Sequence, residues 1–161
     1  MKIYTYLLLA LLTFAFTSCD DTEAGGTSVE EMAGDWWVTS TPNGGAASPY
    51  FLINTYNTAA NLSTEMWVES NNDPNGVIFK VKVVVDYDNR LFMTSDFVDN
   101  LFASEGGPAK VKISDGKITE NAFTTPSQSV VDKISFKVSL EDGTTYTIDG
   151  HYRTGFTEDE H

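Results

Sequence analysis

Residues 132–140 read DKISFKVSL, and they alternate without a break. Ile134, Phe136, Val138 and Leu140 share one face, while Lys133, Ser135, Lys137 and Ser139 share the other. A period of two sends successive side chains to opposite sides of an extended chain, so this stretch is a strand with one buried and one wet face. After the turn EDG, residues 144–153 repeat the pattern, with Tyr146, Ile148, Gly150 and Tyr152 set against Thr145, Thr147, Asp149, His151 and Arg153. In VIFKVKVVV, residues 77–85, Phe79, Val81, Val83 and Val85 oppose Ile78, Lys80, Lys82 and Val84. Further strands are expected at 34–40, 49–56, 64–69, 90–96, 109–114 and 117–120, separated by TPNGG, NNDPNG, DYDN, SEGGP and SDG. Many short strands with regular turn chemistry predict an all-β fold. The connections at 86–89, 115–116 and 141–143 read as hairpins, which favours pairing between sequence neighbours. The expected architecture is a β-sandwich or an antiparallel up-and-down barrel, and strands with one wet face joined by hairpins favour the barrel. Residues 97–108 read as a loop or lid, and Ser28 with Glu31 matches a capping box ahead of the first strand.

The opening MKIYTYLLLALLTFAFTSC belongs to targeting rather than to this fold. The apolar run Tyr4 to Phe16 is short of the roughly 20 residues a membrane-spanning helix needs. It ends in FTSC, which resembles a bacterial lipobox with Phe16 in place of the usual leucine. Cys19 is the only cysteine in the chain. The resemblance implies a signal peptide over 1–18 and a lipid on Cys19, which becomes the mature N-terminus. Two or more acyl chains anchor durably where one binds only marginally. Residues 19–32 then form a flexible tether, and 33–161 the barrel domain. Asp20, Asp21 and Glu23 resemble the export signal of surface lipoproteins of Bacteroidetes, so the expected location is the outer membrane, with the domain facing outward.

Charge narrows the partners. The full chain carries −13, and removal of Lys2 with the leader makes the mature form −14. That balance disfavours nucleic acid and electrostatic adhesion to anionic lipid. One cysteine permits no internal disulfide, so stability must come from packing. The expected form is a monomer.

Residues 34–40, GDWWVTS, place two of the three tryptophans side by side. Gly34-Asp35-Trp36 resembles the entry motif of lipocalins, whose tryptophan closes one end of the barrel under an arginine from the last strand. The resemblance gives these roles to Gly34, Trp36 and Arg153, and alternation sends Trp37 outside. A closer likeness covers nearly the whole mature chain. GDWWVTS, YFLINTYNTAAN, MWV, FKVKVVVD and TYTIDGHYRTGFTEDEH resemble the Bacteroidetes family named lipid-binding putative hydrolases. The chain departs from that family at Thr157, where proline is frequent. The resemblance implies an all-β fold, a single lipocalin-like antiparallel up-and-down barrel of about eight strands, with a lipid or other apolar ligand, and it transfers no catalytic residues.

Catalytic chemistry is sparse. The chain lacks G-x-S-x-G and H-E-x-x-H, and its thiol is assigned to the anchor. His151 shares a face with Asp149, which is either a base with its orienting carboxylate or an ordinary surface pair. His161, the last residue of the sequence, is expected to be disordered. DYDN and NNDPNG hold oxygens but read as hairpin turns, so neither metal nor cofactor is expected. Asn54, Asn57 and Asn61 fit a barrel mouth or a self-satisfied loop. The aromatic set Tyr50, Phe51, Tyr56, Trp67, Phe79, Phe92, Tyr146 and Tyr152 suits a pocket with polar edges. Tyr56, Phe79, Phe136, Tyr146 and Tyr152 are the candidate ligand contacts. Three readings follow: a ligand binder with a hollow barrel, an enzyme with His151 inside, and a filled barrel serving a surface glycan or partner protein. Interior volume separates them.

Overall fold

A computed structural model describes residues 26–161. The leader, Cys19 and the acidic residues Asp20, Asp21 and Glu23 lie outside the described residues. Nine strands follow one another: β1 (Gly34–Pro42), β2 (Phe51–Asn57), β3 (Glu65–Ser70), β4 (Phe79–Asp86), β5 (Leu91–Met93), β6 (Val98–Asp99), β7 (Lys110–Thr124), β8 (Val130–Leu140) and β9 (Thr145–Tyr152). All pairings are antiparallel, in the order β5-β4-β3-β2-β1-β9-β8-β7-β6. β5 also pairs with β7, which closes eight strands into a barrel and leaves β6 as an edge piece on β7. The all-β up-and-down barrel expected from the sequence is thus the observed fold.

One hairpin is absent. Residues 115–116 are a bulge within the single long strand β7, where the register against β8 shifts between Ser114 and Lys117. Asp115 takes φ of 54° there, the left-handed backbone that turn-like residues tolerate. A Cβ on Gly116 would overlap the carbonyl and ring of Phe92. Only glycine lets β7 approach β5 closely enough to pair Phe92 with Gly116, so SDG closes the barrel instead of reversing the chain. The loop at 97–108 is likewise structured. It holds β6 and a 3-10 turn at Ala103–Glu105, and Asn100 bonds Lys80 N, Phe102 N, Ile78 O and Pro108 O.

The inward faces form one continuous core. Trp36, Val38, Phe51, Ile53, Met66, Val68, Phe79, Val81, Val83, Phe92, Ile113, Ile118, Ile134, Phe136, Val138 and Ile148 are all at most 3% exposed and belong to one cluster. Phe92 and Phe136 meet edge to face across it at 5.6 Å. Both ends are shut. Where the N-terminal segment enters, a 3-10 turn at Glu30–Met32 inserts Met32, and Val29 joins the core beside it. Within the stretch expected to be a tether, Val29 and Met32 are therefore buried, whereas Glu30 and Glu31 are exposed. Ser28 does not cap that turn: it bonds Asn61, donating from its backbone N–H and from its hydroxyl. At the opposite end the NNDPNG turn folds inward. The buried Asp73 carboxylate accepts from Ser40 Oγ at 2.7 Å and from Asn75 N at 2.8 Å. Burial pushes the Asp73 carboxyl up, while those two donors pull it back.

Candidate functional site on the outer face of the barrel

The five candidate ligand contacts do not come together. Phe79 and Phe136 are spent on the core. Tyr146 is partly buried and packs against that core. Tyr152 faces inward beside Trp36 at the closed end, where it is 40% exposed. Tyr56 lies outside, because Phe51, Ile53 and Thr55 take the inward positions of β2. Its hydroxyl donates to Glu69, burial and Glu69 raise its pKa, and Lys80 stands 5.2 Å from its ring. Lys80 pairs with Glu69 at 3.1 Å and also covers the rings of Trp67 and Phe102. The cation–π box is complete in itself. The asparagines satisfy local groups: Asn54 donates to Asp35, Asn57 to the Thr58 carbonyl, and Asn61 accepts from Ser28.

The tryptophans divide the two faces of β1. Trp36 is 1% exposed, donates from Nε1 to Thr55 Oγ1 at 2.8 Å and meets the edge of Tyr152 at 5.4 Å. Thr55 in turn donates to the Met32 carbonyl, which ties the plug to the N-terminal turn. A Cβ on Gly34 would overlap the Tyr152 ring, so any other residue there must displace that ring from Trp36. Arg153, however, covers Trp37 rather than Trp36. It follows the inward Tyr152, and alternation sends it outside, 5.8 Å from the Trp37 ring centroid. Its guanidinium holds Glu160 through two bonds of 2.8 Å. The arginine at the closed end is Arg90, bound to Glu31, Glu120 and Asp132.

Trp37 opens an aromatic row outside the barrel. It is paired across β1 and β9 with His151, which is fully buried although it lies on the outer face. Phe123 stacks on His151 at 4.1 Å, and Tyr50 meets it at 5.9 Å. His161 is ordered, stacked on Tyr50 at 3.9 Å and set edge-on to Trp37 at 5.6 Å. The C-terminal segment is pinned by Asp159, which accepts from Ser127 N, Ser127 Oγ and Thr154 Oγ1. Burial would raise the Asp159 carboxyl, but these donors and Thr125 outweigh it and hold it at about 2. Trp37 Nε1 is the buried side-chain polar atom left without a partner among the described residues. Asp149 does not orient His151, because it pairs with Lys133 at 2.9 Å. His151 uses Nδ1 on the Tyr152 carbonyl at 3.0 Å and Nε2 on His161 Nε2 at 3.3 Å.

Burial holds the His151 pKa below its ordinary value, His161 adds to that, and the Tyr152 carbonyl and Asp159 oppose it. A lowered folded pKa means stability that is complete above the unfolded value, near 6.5, and lost as pH falls through the folded one. Thermal melts at about pH 7.5 and about pH 5 should therefore separate more for the wild type than for His151→Gln. Equal separation would show that His151 is not the titrating group.

Above this row a groove of about 560 Å³ opens on β1, β9 and β8. Thr39, Thr41, Thr147, Asp149 and Gly150 form its floor, and Tyr50 and Phe123 with Lys133 stand along it. Tyr50 arrives from the loop before β2 and Phe123 from the end of β7, so nothing in the local pattern around Phe123 marks it as part of a site. The signal available was the outward set Thr39, Thr41, Thr147 and Asp149, which alternation places on one surface.

The family model described as lipid-binding putative hydrolase matches residues 21–157. A search of curated proteins gives no match. Among solved structures, a Bacteroides ovatus protein of unknown function is similar at 12% identity and a TM-score of 0.46. The likeness covers 78% of this chain, and this chain spans 43% of that one. With the family model matching residues 21–157, most of its length, the chain belongs to the lipid-binding putative hydrolase family.

Proposed function

We propose that the protein is a cell-envelope lipoprotein that binds an amphiphilic lipid in the groove outside its barrel. The observation that carries this reading is the placement of space: the inward faces are packed and both ends are plugged, while the outer groove offers about 560 Å³. That volume lies within the roughly 300–1,000 Å³ of small-molecule sites. The rings of Tyr50 and Phe123 supply apolar contact, and the Lys133–Asp149 pair with the threonines supplies a polar edge. Membership of a lipid-binding family supports the ligand class. Binding is favoured over hydrolysis because His151 is buried with both ring nitrogens engaged and no hydroxyl nucleophile on either, and Asp149 at the groove is paired with Lys133.

A fluorescent fatty-acyl probe should bind the wild type and lose about tenfold or more in affinity with Tyr50→Ala plus Phe123→Ala, the equivalent of about 1.4 kcal/mol or more. Unchanged affinity in a folded double variant would remove the groove from the account. The anchor has its own test. Cys19→Ser should move the protein from the membrane fraction to the soluble one, and continued sedimentation with membranes would exclude lipidation as the anchor.

A further inference from the structure

We infer that the polar head of the groove's ligand is a neutral polyol, such as a sugar, rather than a carboxylate or a phosphate. The inference rests on the outer-groove reading above and adds the chemistry of the head group. Charge comes first. Lys133 is the cation of the groove, and Asp149 already neutralises it at 2.9 Å, so an anionic head arriving at Lys133 meets a carboxylate beside it. The chain's net charge of −13 adds to that repulsion.

Hydrogen-bonding capacity comes second. Thr41 and Thr147 face each other across β1 and β9 on the groove floor. Thr39 donates weakly to the Asp149 carbonyl at 3.4 Å, whereas the hydroxyls of Thr41 and Thr147 have no protein partner among the described residues. Each is both donor and acceptor, as the hydroxyls of a sugar require. The Lys133–Asp149 pair is 40% and 44% exposed at its side chains, so its own bond is worth little and yields readily to ligand hydroxyls.

The rings supply the third observation. Phe123 has one face on His151 and Tyr50 has one face on His161. Both rings also line the groove, where a stacked ring can pack against the flat C–H face of a pyranose. A cage for a quaternary ammonium needs several ring faces converging on one point.

Titrations followed by 1H–15N chemical shifts, with octyl β-glucoside, octanoate and octylphosphocholine as monomers, test the inference. Octyl glucoside should bind with shifts centred on the groove, and about tenfold tighter than octanoate, the difference of one or two ordinary hydrogen bonds. Asp149→Asn and Thr41→Val plus Thr147→Val, all on the wet face, should weaken the glucoside while leaving octanoate unchanged or tighter. Octanoate or octylphosphocholine binding in the groove as tightly as the glucoside would overturn the polyol head and leave the outer-groove reading standing. Failure of all three to shift groove residues would remove that reading itself.

Discussion

Phe136→Asp is expected to leave no folded barrel. Phe136 is 2% exposed, sits on the inward face of β8 opposite Ile148, and meets Phe92 edge to face. Emptying such a site costs about 3–5 kcal/mol. Burying an unpaired carboxylate adds several more. The sum is comparable to the roughly 5–15 kcal/mol that holds a whole domain together. Far-UV circular dichroism and amide dispersion should both report an unfolded chain at neutral pH. A folded Phe136→Asp protein with native dispersion would mean that the interior has room for water around a charge.

Trp36→Ala should destabilise by about 3–5 kcal/mol, the usual cost of truncating a large buried aromatic. Three consequences combine there. The indole leaves a void among Val38, Met32 and the residues of the closed end, Thr55 loses the donor at 2.8 Å, and Tyr152 loses its edge contact. Denaturant unfolding should show the midpoint falling with little change of slope. Arg153→Ala should cost less than Trp36→Ala, since that guanidinium stands outside the barrel over Trp37. The reverse order would restore the lipocalin-type cover of Trp36 by Arg153.

The inward residues of β4, β8 and β9 were legible because period-two alternation is local: every residue needed to read Phe79 to Val85 or Ile134 to Val138 lies in the same stretch. The faces of Trp36 and Trp37 followed from the same rule. Applied one step further, that rule also places Arg153 on the side of Trp37, against the family analogy that set it over Trp36. SDG at 114–116 misled because its chemistry states only that the backbone turns left-handed. Whether the chain reverses there or bulges depends on Phe92, more than twenty residues away in sequence. The groove was the least legible part. Tyr50, Phe123, His151 and His161 come from a loop, the end of β7, β9 and the C-terminal segment, and no local period links them. The filling of the barrel was equally non-local, since it depends on how residues from all strands fit together and on Met32 and Asp73 shutting the ends.

The central claim is that this barrel binds on its outside. Intermolecular nuclear Overhauser effects between a bound octyl-chain amphiphile and the protein test it most directly. Cross-peaks are expected from the ligand to the ring protons of Tyr50 and Phe123 and to the methyls of Thr41 and Thr147. Cross-peaks to Phe79, Phe92 and Phe136 instead would place the ligand inside the barrel and contradict it.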